Sequence, residues 1–467
     1  MLAKVASPSL YSMIINTPHT VFGIQTGGPS TIQEVSSMFE VGGQFTLRKV
    51  FDNFTAPAFL ISTLGLLILI PKVFQQKSKP QELVVLIWSV FMLLAIYGQN
   101  RFGYYYSINV SILSAYVGGL FLEMVKWDRL EENFRKDVKS LGDAPKFLKS
   151  IRIEHILAVL IILVVLVVPQ YNKAMTYANV RADPDEPWTE ATTWLRTNTP
   201  DPGMDFNGIY DAPDNGQPFD YPENAYGVMS WWDYGHYIET IGNRMPNANP
   251  FQAGIGGRSQ SIEEENRPGA VTFLTAQSEE EASAVLEAID PDPEKSGARY
   301  IISDNKMAID IFSSIIQWTL DTEGYYQSYW TGSGYQTVPS TRYFNSMEAR
   351  LHLFDANGLK QYRLVHETWP YQTAETGYKQ VYNLLFGGNV PTVDTGYVKI
   401  FEYVKGAKIT GVANPNDTVN LRTTILTGQQ RTFEYSQSTV ADSQGNYAFT
   451  VPYSTEGPLS GQTQFDV

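Results

Sequence analysis

The chain has 467 residues, a net charge of −14 at neutral pH and no cysteine, which excludes disulfide bonds, thiolate metal ligands and thiol nucleophiles. Its mean hydropathy of −0.19 is typical of a soluble protein but averages two unlike parts. Residues 1–169 carry 15 basic and 11 acidic side chains, whereas residues 170–467 carry 19 and 37. Nucleic acid is therefore a disfavoured partner, because phosphate binding needs clustered positive charge.

The first part contains four apolar runs that approach the length of a membrane-spanning helix. They are Ala56–Ile70, Leu83–Gly98, Tyr104–Met124 and Ile156–Val168. A membrane-spanning helix needs about 20 residues, so the first and last runs need apolar neighbours to cross a bilayer. Four such runs in succession predict four transmembrane helices within residues 55–171. A buried helical core is the alternative that the apolar runs leave open.

Basic residues predict the orientation, because loops kept in the cytoplasm retain lysine and arginine. Two loops are basic. The first carries Lys72, Lys77 and Lys79, and the second carries Lys126, Arg129, Arg135, Lys136, Lys139, Lys146, Lys149 and Arg152. The loop between the second and third runs carries Arg101 alone. This loop, an external segment at residues 1–54 and everything after the fourth run are therefore expected outside the cell membrane.

The outer part has two compositions. Residues 172–395 read as a mixed α/β domain, with a helix at Trp188–Arg196 and a buried strand at Arg299–Ser303. A second helix is expected from Ser278 to Ile289, with Ser278 and Glu281 as a capping box. Residues 396–467 alternate apolar and polar side chains between turn signals, which predicts a small β-rich module. The fold class expected is a multi-pass α-helical membrane region followed by an extracellular mixed α/β domain and this module.

The most informative stretch is Trp231-Trp232-Asp233-Tyr234-Gly235. One interpretation is an aromatic strand end in the core. In that case Asp233 would be buried beside two indoles, which costs several kcal/mol, roughly, unless the carboxylate is paired. The other interpretation is a pocket for a hydroxyl group, in which the carboxylate accepts a hydrogen bond and indole N–H groups donate. Such a pocket rejects an analogue without the hydroxyl, because its polar atoms are then left unpaired.

This pentapeptide, after four spans and in an outer domain, resembles the signature of the oligosaccharyltransferase catalytic subunit, and the continuation His236-Tyr237-Ile238 resembles the archaeal form. The resemblance implies that Trp231, Trp232 and Asp233 hold the hydroxyl of the Ser or Thr two residues after the acceptor asparagine. Tyr234 and Gly235 would shape the turn. Two roles remain for His236: its neutral imidazole orders the hydroxyl pocket, or it is a structural histidine.

Two further motifs extend the resemblance. Thr31-Ile32-Gln33-Glu34 is similar to the family's external-loop motif, which implies that Glu34 contacts the acceptor amide and helps to hold a divalent metal, Mn or Mg. Arg101 lies at the outer end of a span and would contact the pyrophosphate of the lipid-linked oligosaccharide, since a guanidinium pairs with that anion through two hydrogen bonds. A solvated Glu34 and a snorkelling Arg101 are the alternatives.

A third motif, Asp304-Asn305-Lys306-Met307 followed by Ile315, resembles the family's helix near the hydroxyl pocket. Met307 and Ile315 are predicted as apolar walls against a threonine methyl group, with an ordinary amphipathic helix as the alternative.

The family's chemistry is transfer of a dolichyl-type lipid-linked oligosaccharide to asparagine in Asn-X-Ser/Thr sequons, with inversion at the anomeric carbon. The expected partners are that lipid, an acceptor polypeptide and membrane lipid. The family's other metal-binding acidic residues lie between earlier spans that this chain lacks, so it is expected to be a C-terminal portion, inactive alone. A non-catalytic, membrane-anchored module that binds surface peptides or glycans is the alternative function, and a glycosyltransferase that acts on lipid is a third.

Overall fold

The computed structural model describes residues 33–41, 43–139, 144–179, 184–211, 213, 217, 219–258, 266–290, 297–319, 321–332, 334–369 and 395–453. The chain forms two compact units, Met1–Arg181 and Ala182–Val467. The first unit is mainly helical and the second contains a mixed sheet and a set of antiparallel strands.

The described part of the first unit starts at a 3₁₀ turn, Gln33–Val35, which is followed by a short hairpin. Its strands are β1 (Glu40–Val41) and β2 (Gln44–Phe45). Its helices are α1 (Arg48–Phe54), α2 (Ala56–Phe74), α3 (Pro80–Gly98), α4 (Gly103–Met124), α5 (Trp127–Asp137), α6 (Ala144–Leu148), α7 (Ile153–Ile162) and α8 (Val168–Ala178). A second 3₁₀ turn, Asn100–Phe102, precedes α4, and a π-helical turn, Leu163–Val167, joins α7 to α8.

Four helical stretches are long and apolar enough to cross a membrane, which confirms the four predicted spans. They are Ala56–Phe74, Pro80–Gly98, Asn100–Met124 and Ile153–Ala178. The first span begins abruptly because Thr55 adopts a φ of 61°, which separates α1 from α2. At the other end of α2, Lys72 pairs with Glu82 of α3 at 2.5 Å, so the first basic loop is short and closed by an ion pair.

The second unit contains helices and strands in alternation. Its helices are α9 (Glu186–Asn198), α10 (Gly235–Thr240), α11 (Ala270–Thr275), α12 (Glu279–Ile289), α13 (Phe312–Ile315), α14 (Thr341–Asn345) and α15 (Met347–His352). Its strands up to residue 403 are β3 (Gly227–Met229), β4 (Met245–Pro246), β5 (Gly257–Arg258), β6 (Asn266–Arg267), β7 (Tyr300–Asp304), β8 (Tyr326–Trp330), β9 (Tyr335–Pro339), β10 (Tyr362–Glu367) and β11 (Val398–Tyr403). The predicted helix around Trp188 is α9, and the predicted buried strand is β7, which is buried throughout.

Five strands form the central sheet, in the order β10-β11-β7-β3-β4. Strands β3, β4 and β7 are mutually parallel where they pair, whereas β11 runs antiparallel to β7 and β10. Helix α12 begins as the capping pattern predicts, since the Ser278 hydroxyl accepts the backbone N–H of Glu281 at 3.1 Å. The Glu281 carboxylate reaches back to the N–H of Gln277, so the reciprocal bond closes one residue earlier than in a standard capping box.

The remaining strands are β12 (Ala407–Val412), β13 (Thr418–Leu426), β14 (Thr432–Val440) and β15 (Asn446–Val451). They pair as β12 with β15 and β13 with β14, around a core that includes Leu421, Tyr435 and Phe449. Strand β11 belongs instead to the central sheet, although its alternating sequence resembles the later strands. Its polar residues Lys399 and Glu402 are buried with oppositely charged partners, which the local pattern does not reveal.

Candidate functional site

The sheet brings two of the predicted motifs to one edge. The Trp-Trp-Asp sequence follows β3 directly, and the segment that contains Met307 follows β7. Because β3 and β7 are parallel and adjacent, their carboxyl ends lie at the same edge of the sheet. The crevice beyond this edge is the usual place for a ligand in open α/β sheets. Backbone topology alone therefore assembles this site from residues about 75 positions apart in the sequence.

The motif itself forms a compact turn. Trp232–Tyr234 is a 3₁₀ turn that leads straight into α10, which begins at Gly235. Trp231 is buried and Trp232 is half-buried, and their rings meet edge to face with centroids 6.1 Å apart. The indole nitrogen of Trp232 is buried and has no hydrogen-bond partner among the described residues. A buried donor without an acceptor is costly, so this N–H is suited to a hydroxyl or carbonyl oxygen of a ligand.

Asp233 is exposed. The burial beside two indoles that the core interpretation of the motif would require therefore does not occur for this carboxylate. The reason is local: the chain leaves β3 in a 3₁₀ turn, which directs the side chain of Asp233 away from the interior while Trp231 stays in it. The exposed carboxylate of Asp233 and the buried indole N–H of the half-buried Trp232 place an acceptor and a donor on one turn.

Tyr234 and Gly235 hold this turn against the protein interior. The Tyr234 ring stacks on Trp188 with centroids 4.1 Å apart and planes 17° from parallel. Burial raises the pKa of the Tyr234 hydroxyl well above its ordinary value, and the nearby Asp304 charge adds to this effect. Gly235 packs against another backbone segment, since a Cβ there would lie 2.5 Å from the carbonyl oxygen of Ala248.

Asp304, the last residue of β7, connects the motif to its surroundings. Its carboxylate accepts the indole N–H of Trp188 at 2.8 Å and the backbone N–H of Met307 at 2.6 Å, and it also accepts the Tyr234 hydroxyl. Burial raises the pKa of Asp304 to about 6, although these hydrogen bonds and the Lys306 charge act to lower it. Sequence reasoning missed Trp188. The only signal was a tryptophan at the start of a predicted helix, which is usual for a core residue.

Met307 and Ile315 are both fully buried. The sulfur of Met307 accepts the hydroxyl of Ser230 at 3.7 Å, so Met307 contacts the residue that precedes Trp231. Ile315 ends α13 in the interior of the same unit. With no exposed surface, either side chain would touch a bound threonine only after a local rearrangement, so their role as pocket walls stays a prediction.

His236 contacts residues outside the pentapeptide. Its Nδ1 lies 3.7 Å from a carboxylate oxygen of Glu239, and its ring packs edge to face on Phe251. These contacts favour the structural role for His236.

Glu34 and Arg101 lie on neighbouring turns of the first unit. Glu34 is in the 3₁₀ turn Gln33–Val35, and Arg101 is in the 3₁₀ turn Asn100–Phe102. The backbone N–H of Asn100 donates to the carbonyl oxygen of Ser36 at 2.7 Å, which holds the two turns together. Both side chains are exposed, and the Arg101 guanidinium lies 5.4 Å from the centre of the Phe102 ring. Glu34 and Arg101 are 67 positions apart in the sequence. The fold nevertheless places the two predicted catalytic residues on neighbouring turns of one unit.

A divalent metal would need more carboxylates than this face supplies. Within the described ranges, no group of three or more His, Asp and Glu side chains is arranged to hold a cation. Glu34 is also the first acidic residue of the sequence, so the residues before it contain no other carboxylate side chain. The described residues therefore do not supply a complete metal site, and among them Glu34 is at most one ligand of such a site.

Comparison with known proteins gives a consistent result. Residues 185–308 match the AglB core domain, and residues 406–467 match the archaeal glycosylation protein B long peripheral domain. The dolichyl-phosphooligosaccharide-protein glycotransferase 3 of Archaeoglobus fulgidus is 34% identical, covering 92% of this chain and 55% of that protein. AglB of Haloferax volcanii is 27% identical over 88% of this chain and 47% of the relative.

The solved structure of the Archaeoglobus fulgidus oligosaccharyltransferase AglB superposes with a TM-score of 0.78 at 31% identity. The match covers 97% of this chain and 58% of that one. The chain thus spans about half the length of the curated relatives that it matches, and the similarity extends over both of its units. The chain belongs to the AglB family of archaeal oligosaccharyltransferases, which are membrane proteins with a large α/β domain.

Proposed function

We propose that this chain is the acceptor-recognising part of a glycosyltransferase that moves a lipid-linked oligosaccharide to the asparagine of Asn-X-Ser/Thr sequons. The observation that carries the proposal is the turn after β3. It presents the buried indole N–H of Trp232, which has no partner in the described part of the chain, beside the exposed carboxylate of Asp233. A Ser or Thr hydroxyl is both a donor and an acceptor, so its oxygen can accept the Trp232 N–H while its O–H group donates to the Asp233 carboxylate.

The relatives support both substrates. One Archaeoglobus fulgidus structure is described as a complex with an inhibitory peptide and a dolichol-phosphate. Another is tethered to an acceptor peptide that contains the NVT sequon, and a third is a complex with Zn and sulfate. By analogy, the partners of this chain are a dolichyl-type lipid carrying an oligosaccharide and an acceptor polypeptide.

Glu34 and Arg101 are the proposed catalytic residues. An amide nitrogen is a poor nucleophile because its lone pair is delocalised, and a carboxylate that accepts the amide N–H weakens this delocalisation. We assign that role to Glu34. Arg101 would stabilise the negative charge on the departing lipid phosphate through paired hydrogen bonds. A single displacement at the anomeric carbon inverts its configuration.

A divalent cation, Mg²⁺ or Mn²⁺, would supply additional charge stabilisation at the leaving group. In this chain Glu34 is the one residue proposed as its ligand, and the remaining ligands would come from residues outside those described. Extracellular placement of residues 182–467 is likewise a proposal. It rests on the basic loops that follow the first and third spans and on the acidic character of the second unit.

Peptide binding tests the function. The full purified chain is titrated with a fluorescent peptide that contains Asn-Val-Thr and with its Asn-Val-Ala counterpart. The threonine peptide is expected to bind at least about tenfold more tightly, since the buried Trp232 N–H gains no acceptor from the alanine side chain. Trp232→Phe, which keeps an aromatic ring but removes the indole N–H group, should lose most of this preference. Equal binding of the two peptides by the unaltered chain would contradict the proposal.

Glycosyl transfer separates the enzyme from a non-catalytic binding module. Membranes that contain the chain and whatever polypeptide supplies further spans are incubated with lipid-linked oligosaccharide and the threonine peptide. Transfer that is lost in Asp233→Ala supports the enzyme. Tight sequon binding without transfer in any preparation would favour the binding module.

A further inference from the structure

We propose that Trp188 is a positioning residue for acceptor recognition: its stack on Tyr234 and its hydrogen bond to Asp304 hold the Trp-Trp-Asp turn in its binding geometry. This inference rests on the proposed function. Trp188 lies 43 positions before Trp231, on a helix that carries no recognised motif.

The position of Trp188 is fixed from three directions. Its backbone N–H is held by the side chain of Asp185, which caps α9 at 3.0 Å. Its ring lies parallel to that of Tyr234, and Tyr237 meets it edge to face at 5.9 Å. Its indole N–H donates to Asp304 at 2.8 Å. A side chain held in this way has one accessible rotamer, so its aromatic face provides a rigid support for the motif.

The hydrogen bond gives Trp188 more than a packing role. The Asp304 carboxylate is fully buried, and it accepts hydrogen bonds from three separate elements. These are α9 through Trp188, the 3₁₀ turn Trp232–Tyr234 through Tyr234, and the segment after β7 through the backbone of Met307. A charge at this depth is stable only with such donors. Removal of the Trp188 donor therefore weakens the link that joins the turn to the sheet.

The groups around Asp304 define how the network responds to pH. Lys306, on the segment that follows β7, favours the ionised form of Asp304. The carboxyl group of Glu348 on α15 lies close enough to interact with Asp304, and Tyr397 and Asp233 act on Tyr234. Because the Trp188 N–H also favours the carboxylate, its loss raises the pKa of Asp304, which lies at about 6 in the intact network.

The test compares Trp188→Phe with Trp194→Phe on the same helix. Phenylalanine at position 188 keeps an aromatic ring against Tyr234 but removes the N–H donor. Trp194 is a matched control, since it stacks on His366 with centroids 4.6 Å apart and lies outside the network. Binding of the Asn-Val-Thr peptide to the full chain is measured between pH 5 and pH 8, and thermal unfolding verifies that each variant is folded.

Trp188→Phe is expected to weaken binding about tenfold at pH 7.5, the loss typical of one hydrogen bond to a charged group. As the pH is lowered, this variant should also lose binding at a higher pH than the unaltered chain does. Trp194→Phe should match the unaltered chain in affinity and in pH profile. Unchanged binding in Trp188→Phe would overturn the inference, as would an equal loss in both variants. A loss without any change in the pH profile would overturn the link through Asp304. All of these outcomes presuppose that the unaltered chain prefers threonine to alanine, which tests the proposed function separately.

Discussion

At the scale of single residues, the most unusual group near the site is Glu348. Its side chain is fully buried, and one carboxyl oxygen accepts the hydroxyl of Ser303 at 2.6 Å. The other carboxyl oxygen has no hydrogen-bond partner within the described part of the chain. Burial raises the pKa of Glu348 to about 8, and the neighbouring Asp304 charge acts in the same direction. The hydrogen bond from Ser303 acts to lower this pKa. Glu348 is therefore protonated at neutral pH, while Asp304 beside it is mostly ionised.

This protonation makes stability depend on pH in a defined direction. Between pH 4.5, the ordinary pKa of the group, and pH 8, the folded protein holds a proton at Glu348 that the unfolded chain has released. The free energy of unfolding therefore falls as pH rises through this window, by up to roughly 1.4 kcal/mol per pH unit. Glu348→Gln, which carries no such proton, should match the unaltered chain near pH 5 and exceed its stability by about 2–4 kcal/mol at pH 8.

Thermal unfolding of the full chain from pH 5 to pH 8 measures this difference, with Glu434→Gln as the control at an exposed position. A stability difference between Glu348→Gln and the unaltered chain that stays constant over the range would show that Glu348 does not retain its proton on folding.

At the scale of elements, the junction between the 3₁₀ turn and α10 depends on close backbone approach. Gly235 is the first residue of α10, and a Cβ there would lie 2.5 Å from the carbonyl oxygen of Ala248 and 2.7 Å from the Cα of Asn249. Both atoms belong to the backbone, so relief requires the helix or the facing loop to move. This contact explains why glycine ends the motif, although the dihedral angles of Gly235 are ordinary for a helix.

Gly235→Ala is accordingly expected to destabilise the protein by about 1–3 kcal/mol through overpacking. It should also weaken binding of the threonine peptide, because Trp232 and Asp233 move with the turn. Unfolding temperature and peptide affinity are measured together. Gly428→Ala is the control, since nothing lies within 4 Å of a Cβ at that glycine. Wild-type stability and affinity in Gly235→Ala would show that the turn is not set by this contact.

At the scale of the second unit as a whole, a buried charge cluster joins the late strands to the central sheet. Arg431, in the connection between β13 and β14, pairs with Glu367 at 2.6 Å and with Asp355 at 2.8 Å. Lys399 of β11 also pairs with Asp355, at 2.7 Å. Burial acts to raise the pKa of Asp355, but the charges of Lys399 and Arg431 hold it below its ordinary value. The residues matched by the long peripheral domain are thus fixed to the core through ions rather than through apolar packing alone.

Arg431→Met should destabilise this unit by about 3–5 kcal/mol, because the buried Glu367 would lose its ion-pair partner and Asp355 one of its two. The expected observation is a lower unfolding temperature of the full chain and faster proteolytic release of the strands after residue 406. Arg422→Met, at an exposed position on β13, provides the comparison. Equal resistance of the two variants to protease would contradict a structural role for the cluster.

Local information in the sequence was sufficient for several of these elements. The four spans follow from apolar runs of bilayer length, and the start of α12 follows from Ser278 and three glutamates, because spans and caps depend on residues a few positions apart. The Trp231–Asp233 motif was also evident, since two adjacent indoles beside a carboxylate are rare. The different exposure of Trp231 and Asp233 was not evident, because the direction of a side chain after a strand depends on how the next turn forms.

Only the tertiary structure decided the rest. Trp188 and Asp304 are 116 positions apart, and Arg431 and Glu367 are 64 apart, so no local pattern relates them. The same holds for β11, whose alternating sequence suits a half-exposed strand but whose charged side chains are buried against partners from other elements. Hydrophobic periodicity determines where helices and strands form, whereas the partners of a buried polar group depend on which elements the whole fold brings together.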